Sequence, residues 1–127
     1  MTAPNSAYSA YNQSANQVQS PEKLVLMLYE GILRFIFRAK KAMGEKNIEE
    51  KVHYLNRVNA IFFELIDSLD MKQGDIARYL DELYRNQIQL VCQANMLNDP
   101  ERLDAVIKVT RALIDAWHDT VGEKDEN

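Results

Sequence analysis

Four boundary signals divide this sequence, and the stretches between them admit little besides long helices. Ser20-Pro21 pairs a capping hydroxyl with a proline at the first helical position, where its missing N–H would have had no partner. Gly44, following Lys40 and Lys41, has the form of a helix stop, and Asn47 with Glu50 three residues later has the form of a helix start. Gly74-Asp75 marks the next turn and cap. Asn98-Asp99-Pro100 repeats the cap-and-proline signal, and Gly122 closes the last segment. The spacing predicts helices over about 21–43, 48–70, 76–97 and 100–121, each roughly 30 Å long at 1.5 Å per residue. With only 4 Gly and 3 Pro in 127 residues, a turn-rich β-sandwich or barrel lacks its punctuation. Short connections make consecutive helices antiparallel neighbours. The expected fold is therefore all-α: an antiparallel up-down-up-down four-helix bundle over 20–121. A polar, loosely packed N-terminal arm, 1–19, precedes it, and a disordered charged tail, 122–127, follows.

Charge and composition narrow the function classes. A net charge of −4 disfavours nucleic acid as a partner, since a chain that binds phosphate backbones is usually basic. The longest apolar run, Leu24 to Tyr29, is far short of the ~20 residues that cross a bilayer. The N-terminus has neither the positive start nor the apolar stretch of a secretory signal. A lone Cys92 rules out an intramolecular disulfide or a Cys-rich zinc site. Together these predict a cytoplasmic protein without membrane insertion.

The second predicted helix is the informative one. Ile48, Val52, Leu55, Phe62, Ile66 and Leu69 form one seam, read as core-facing, and Tyr54, Val58, Ile61 and Leu65 form another about 100° round the helix. One seam is enough for a bundle, and a second implies either a broad core or a further partner. On the third helix, Ile76, Leu80, Leu83, Val91 and Ala94 read as core, with Tyr79, Leu90 and Leu97 beside them. The flanking stripes of the two helices are expected to line one outer groove for an amphipathic segment.

Catalytic chemistry is hard to assemble. Glu50 with His53 and Asp115 with His118 have the i, i+3 carboxylate–His spacing of di-metal bundles, with Glu30 and Glu82 as conceivable single ligands. In an up-down-up-down bundle, however, His53 and His118 fall ~20 Å apart along the axis at 1.5 Å per residue, so no metal, cofactor or catalytic set is predicted. No phosphate loop, nucleophile elbow or Cys–His pair is present. Cys92, between Val91 and Gln93, reads as a small buried hydrophobe, and Trp117 with Leu113 and Ile114 as core. Arg34, Arg38, Lys40 and Lys41 read as a solvated basic face. A self-associating structural bundle and a di-metal carboxylate bundle remain the alternative readings.

Two stretches carry a family resemblance. One is Ala10-Tyr11-Asn12-Gln13 followed by Ser20-Pro21-Glu22-Lys23-Leu24-Val25-Leu26-Met27-Leu28-Tyr29-Glu30-Gly31. The other is Gln93-Ala94-Asn95, Asn98-Asp99 and Asp115-Ala116-Trp117. With the turn at Met71-Lys72-Gln73-Gly74-Asp75-Ile76-Ala77, they resemble the flagellar secretion chaperones of the FliS family over roughly residues 7 to 120. The sequence departs from that family's pattern at Asn86, Gln89 and Leu90, where a Tyr and a basic pair are common, at Gly74-Asp75 in place of a double Gly, and at Val18-Gln19. The resemblance implies a non-enzymatic cytoplasmic export chaperone. Such a protein binds the disordered C-terminal segment of flagellin in apolar grooves, prevents premature polymerisation, and aids delivery to the flagellar type III export gate. A co-chaperone or an anti-sigma factor are further partners the family suggests. On this reading Tyr54, Val58, Ile61 and Leu65 of the second helix and Tyr79, Leu83 and Leu90 of the third form the flagellin-binding groove. Tyr11 is the arm's plug and gate-docking residue.

Overall fold

The computed structural model describes the backbone of residues 20–126 and side chains through Thr120. Among the described residues there are four helices: α1 (Pro21–Gly44), α2 (Ile48–Asp67), α3 (Asp75–Leu97) and α4 (Pro100–Glu126), with a short 3-10 turn at Met71–Gln73. Each boundary follows from local chemistry. The Ser20 hydroxyl accepts the Lys23 N–H at 3.1 Å, and the Asn47 side chain accepts the Glu50 N–H at 3.1 Å. Before α4, the Asp99 carboxylate accepts the Glu101 N–H at 3.0 Å. Each bond satisfies a donor that a first helical turn would otherwise leave open.

Four boundaries differ from the sequence reading. Gly44 is the last residue of α1, but the left-handed residue of that turn is Lys46 (φ 58°). The Asn47 N–H donating back to the Ala42 carbonyl at 2.8 Å requires this sharp reversal. α2 ends at Asp67 instead of Asp70, because Asp70 turns outward to cap the 3-10 turn through the Lys72 N–H. Gly74, at φ 78°, precedes α3 without a side-chain cap, so Asp75 is the first helical residue and pairs with Arg78. α4 continues through Gly122 to Glu126 instead of stopping there. A single Gly costs a helix only about 1 kcal/mol, too little to end a long one.

The helices pack as a square: α1 on α2 and α4, and α3 on α2 and α4. The all-α four-helix bundle expected from the sequence is the fold found. The core is built from one heptad-like seam per helix. On α3 the seam is Ala77, Leu80, Tyr84, Gln87, Val91 and Ala94; on α4 it is Leu103, Val106, Thr110, Leu113 and the half-buried Trp117. On α2 it is Lys51, Leu55, Val58, Phe62 and Leu65, at alternating spacings of four and three. Lys51 keeps its place in the seam by running its stem along the core and donating its ammonium to the Asn95 carbonyl at 3.1 Å, at the C-terminal end of α3.

Across the diagonal, Tyr29 of α1 and Tyr84 of α3 meet hydroxyl to hydroxyl at 2.6 Å, one donating to the other. Trp117 meets Tyr29 edge-on at 5.5 Å. Burial raises both phenol pKa values above the ordinary tyrosine range; for Tyr29 the neighbouring Tyr84 adds to the effect.

Candidate functional site

The α2 stripe expected to bind a partner belongs to the interior. Val58 is 0%, Leu65 1% and Ile61 6% exposed. The true core arc of α2 lies between the two predicted seams: it takes Leu55 and Phe62 from one, and Val58 and Leu65 from the other. Ile48, Val52 and Ile66 are correspondingly pushed outward, with Ile48 exposed and the other two half-buried. Tyr54 also leaves the proposed groove. It stacks on Phe35 of α1, centroids 6.0 Å apart, on the side of α2 away from α3. The side facing α3 is marked by Asn59, whose amide donates to Cys92 at 3.5 Å. Cys92 itself is exposed, contrary to the sequence reading, because it lies one residue and so about 100° from the buried Val91. Tyr11 lies outside the described residues. His53 and His118 are both exposed, on α2 and α4.

An extended unpartnered apolar stripe lies on the other flank of α3. Ile76, Tyr79, Leu83, Leu90 and Leu97 occupy a second heptad seam, offset by one residue from the core seam and interrupted only by the polar Asn86 and Gln93. Ile76, Tyr79 and Leu97 are 57%, 60% and 58% exposed, while Leu83 and Leu90 are half-buried against the core. The facing seam on α4 is Arg102, Ala105, Val109, Ala112 and Ala116. The two outer seams do face each other, since the Arg102 guanidinium donates to the Gln93 side chain at 3.2 Å. Large residues on one wall and small ones on the other leave a trough along the α3–α4 boundary. Both walls repeat at spacings of three and four, the pattern against which a further helix packs.

The trough has a defined end. Where α1 and α3 begin, an open cleft of about 410 Å³ lies among Val25, Leu65, Leu69, Ile76, Leu80 and Trp117, with Tyr84 in its wall. Ile76 belongs to both cleft and trough. Tyr79, Leu83 and Leu90 thus come together on one surface as predicted, but their counterparts are on α4, not α2. The α4 wall was missed because alanine contributes almost nothing to an apolar count. The signal available was the three-and-four spacing of Ala105, Val109, Ala112 and Ala116, one position off the core seam.

The site offers contact surface and no chemistry. Among the described residues no three His, Cys, Asp or Glu side chains come together as a metal-binding group, and no helix is long and apolar enough to cross a membrane.

The sequence is similar to known proteins over most of its length. The family model described as "Flagellar protein FliS" matches residues 4–124. The chain is 48% identical over 116 residues to the flagellar secretion chaperone FliS of Campylobacter jejuni, covering 91% of each protein. It is 39% identical to the Vibrio cholerae protein of that name, over 77% of this chain and 73% of the relative. It is 30% identical to the one from Bacillus subtilis, over 90% and 85%.

Proposed function

The chain belongs to the FliS family of flagellar secretion chaperones, which are not enzymes, and from that premise we propose that it holds the disordered C-terminal segment of flagellin in the α3–α4 trough. The observation that carries this reading is the second heptad seam of α3, which the bundle leaves uncovered. A segment that folds on binding loses conformational entropy and needs a long apolar surface in compensation. The trough provides it over the ~30 Å that α3 spans at 1.5 Å per residue. An amphipathic client helix would bury its stripe between the Ile76–Leu97 wall and the small residues of α4. Held there, the segment is unavailable for polymerisation, and the complex acts in the cytoplasm as the unit handed to the flagellar type III export gate. The arm, through Tyr11, competes for the same apolar surface before the client arrives, leaving α1 at Ser20 beside the cleft that joins the trough.

The test is calorimetry against the last ~40 residues of the host flagellin, a length in the range of segments that fold on binding. Tyr79→Asp is expected to retain helical content and melting temperature while losing the client. Unchanged binding by a folded Tyr79→Asp would remove the trough from consideration.

A further inference from the structure

The bundle carries a second surface that the client reading does not use. On α1, diagonally opposite α3, Arg34, Arg38 and Lys41 stand at i, i+4 and i+7 along one exposed stripe with Phe37 beside them. Arg57 of α2 and Lys108 and Arg111 of α4 flank it. None of these six cations makes an ion pair among the described residues. Elsewhere the arginines are paired: Arg78 with Asp75, Arg85 with Asp81, Arg102 with Asp99. In a chain of net charge −4 this concentration of unneutralised positive charge on one face is a departure from the rest of the surface.

The guanidinium groups are also held in place. Arg38 lies over the Tyr54 ring at 5.7 Å, Arg57 over Phe35 at 5.2 Å and Arg111 over Phe37 at 5.7 Å, and Phe35 and Tyr54 stack on each other. A guanidinium lying on a ring keeps its N–H edge free, so these groups are oriented for carboxylates before any partner arrives. Between α1 and α4 the stripe borders a cleft of about 420 Å³ with Phe37 and Ile107 at its apolar part and Lys40, Lys108 and Arg111 at its rim. Lys40 there pairs with Asp104.

We propose that this α1 face is a second docking surface, for an acidic amphipathic helix of a protein partner. Such a helix would place an apolar side chain against Phe37 and its carboxylates on the Arg34–Arg38–Lys41 stripe and Arg111. Charge complementarity selects an anionic partner. The apolar cleft beside the stripe favours a polypeptide over lipid headgroups, which would meet a flat basic face. The aromatic rings are already covered by guanidinium groups or by each other, which leaves no platform for stacking nucleobases. Because the α1–α4 cleft and the α3–α4 trough open on different faces of the square, both can be occupied together.

The experiment uses the full chain and a peptide of about 20 residues with Leu at helical three-and-four spacing and Glu elsewhere. The same peptide with Lys for Glu is the control. Amide shifts are expected at Arg34, Phe37, Arg38, Lys41, Lys108 and Arg111, with binding that weakens steeply as salt rises and a Lys peptide at least ten-fold weaker. Arg34→Glu/Lys41→Glu, which disturbs no ring contact, should weaken the Glu peptide at least ten-fold with helical content unchanged. Shifts confined to the α3–α4 trough, equal affinity for the Lys peptide, or full binding by the folded double variant would overturn the proposal. So would tighter binding of phosphatidylglycerol vesicles or single-stranded RNA than of the Glu peptide.

Discussion

Replacing Ile76 and Leu97 together by serine separates the surface of this bundle from its interior. Full burial of an aliphatic side chain contributes about 1.5–3 kcal/mol. Ile76 is 57% and Leu97 58% exposed, so a client helix covering them gains about 0.9–1.7 kcal/mol at each site. Ile76→Ser/Leu97→Ser should therefore lose about 1.7–3.5 kcal/mol of binding, roughly a 15–300-fold rise in Kd for the flagellin segment. The already covered parts of the two side chains are worth about 0.6–1.3 kcal/mol each to the fold, a loss a domain of this size survives. Val58→Asp is the counterpart. Val58 is fully buried, so that change removes the burial of a valine and places a carboxylate where nothing can solvate it, several kcal/mol more. Cooperative thermal unfolding should disappear. Calorimetry reads the first variant and circular dichroism the second. A folded Ile76→Ser/Leu97→Ser within three-fold of wild-type affinity would refute the trough. A stably folded Val58→Asp that loses only the client would refute the placement of Val58 in the core.

Tyr29→Phe or Tyr84→Phe alone leaves a buried hydroxyl without its partner and should cost about 1–3 kcal/mol, or roughly 4–12 °C in Tm, whereas the double variant should lie close to wild type. The same pair governs alkaline stability. Both phenols are held above their ordinary pKa, so below about pH 10 both states keep the protons; as pH rises further only the unfolded chain releases them, and stability falls by up to about 1.4 kcal/mol per pH unit per phenol. Urea titrations from pH 8 to 11 should show a shallower decline in the Tyr29→Phe/Tyr84→Phe protein. Lys46→Gly, which relieves a left-handed lysine, should raise stability by about 0.5–1 kcal/mol after the entropy cost of glycine, read as a higher urea midpoint. Deleting residues 1–15 should leave flagellin affinity unchanged or tighter; a ten-fold loss by calorimetry would make the arm part of the contact.

The starts of α1, α2 and α4 were legible because each rests on a short local signal, the Ser20 hydroxyl, the Asn47 amide or the Asp99 carboxylate reaching its own first turn. The core arc of α2 was not. Apolar residues cover so much of that helix that two overlapping seams fit them equally well, and the residue that would have chosen between them, Lys51, is charged. Its burial and its hydrogen bond to the Asn95 carbonyl show that a lysine holds a core position. The trough was half legible. Tyr79 and Leu90 stood out as a flank of α3, but which neighbour they face depends on the packing of the square, which periodicity within one helix does not contain. The basic stripe on α1 was visible as composition. Its significance came from the absence of carboxylate partners and the presence of rings beneath the guanidinium groups, both of which are long-range facts.

An even number of antiparallel helices returns the chain to the end at which it entered, so the start of α1 and the close of α4 share one pole with the Trp117 cleft. Anything held close to the start of α1 or to the last turn of α4, whether an affinity handle, a fluorophore or a reporter enzyme, crowds that mouth. The opposite pole, formed by the Lys46 and Asn98 reversals, lies a helix length away from both of those helix ends. It is the sensible place to tether this molecule when the trough must stay open to a guest.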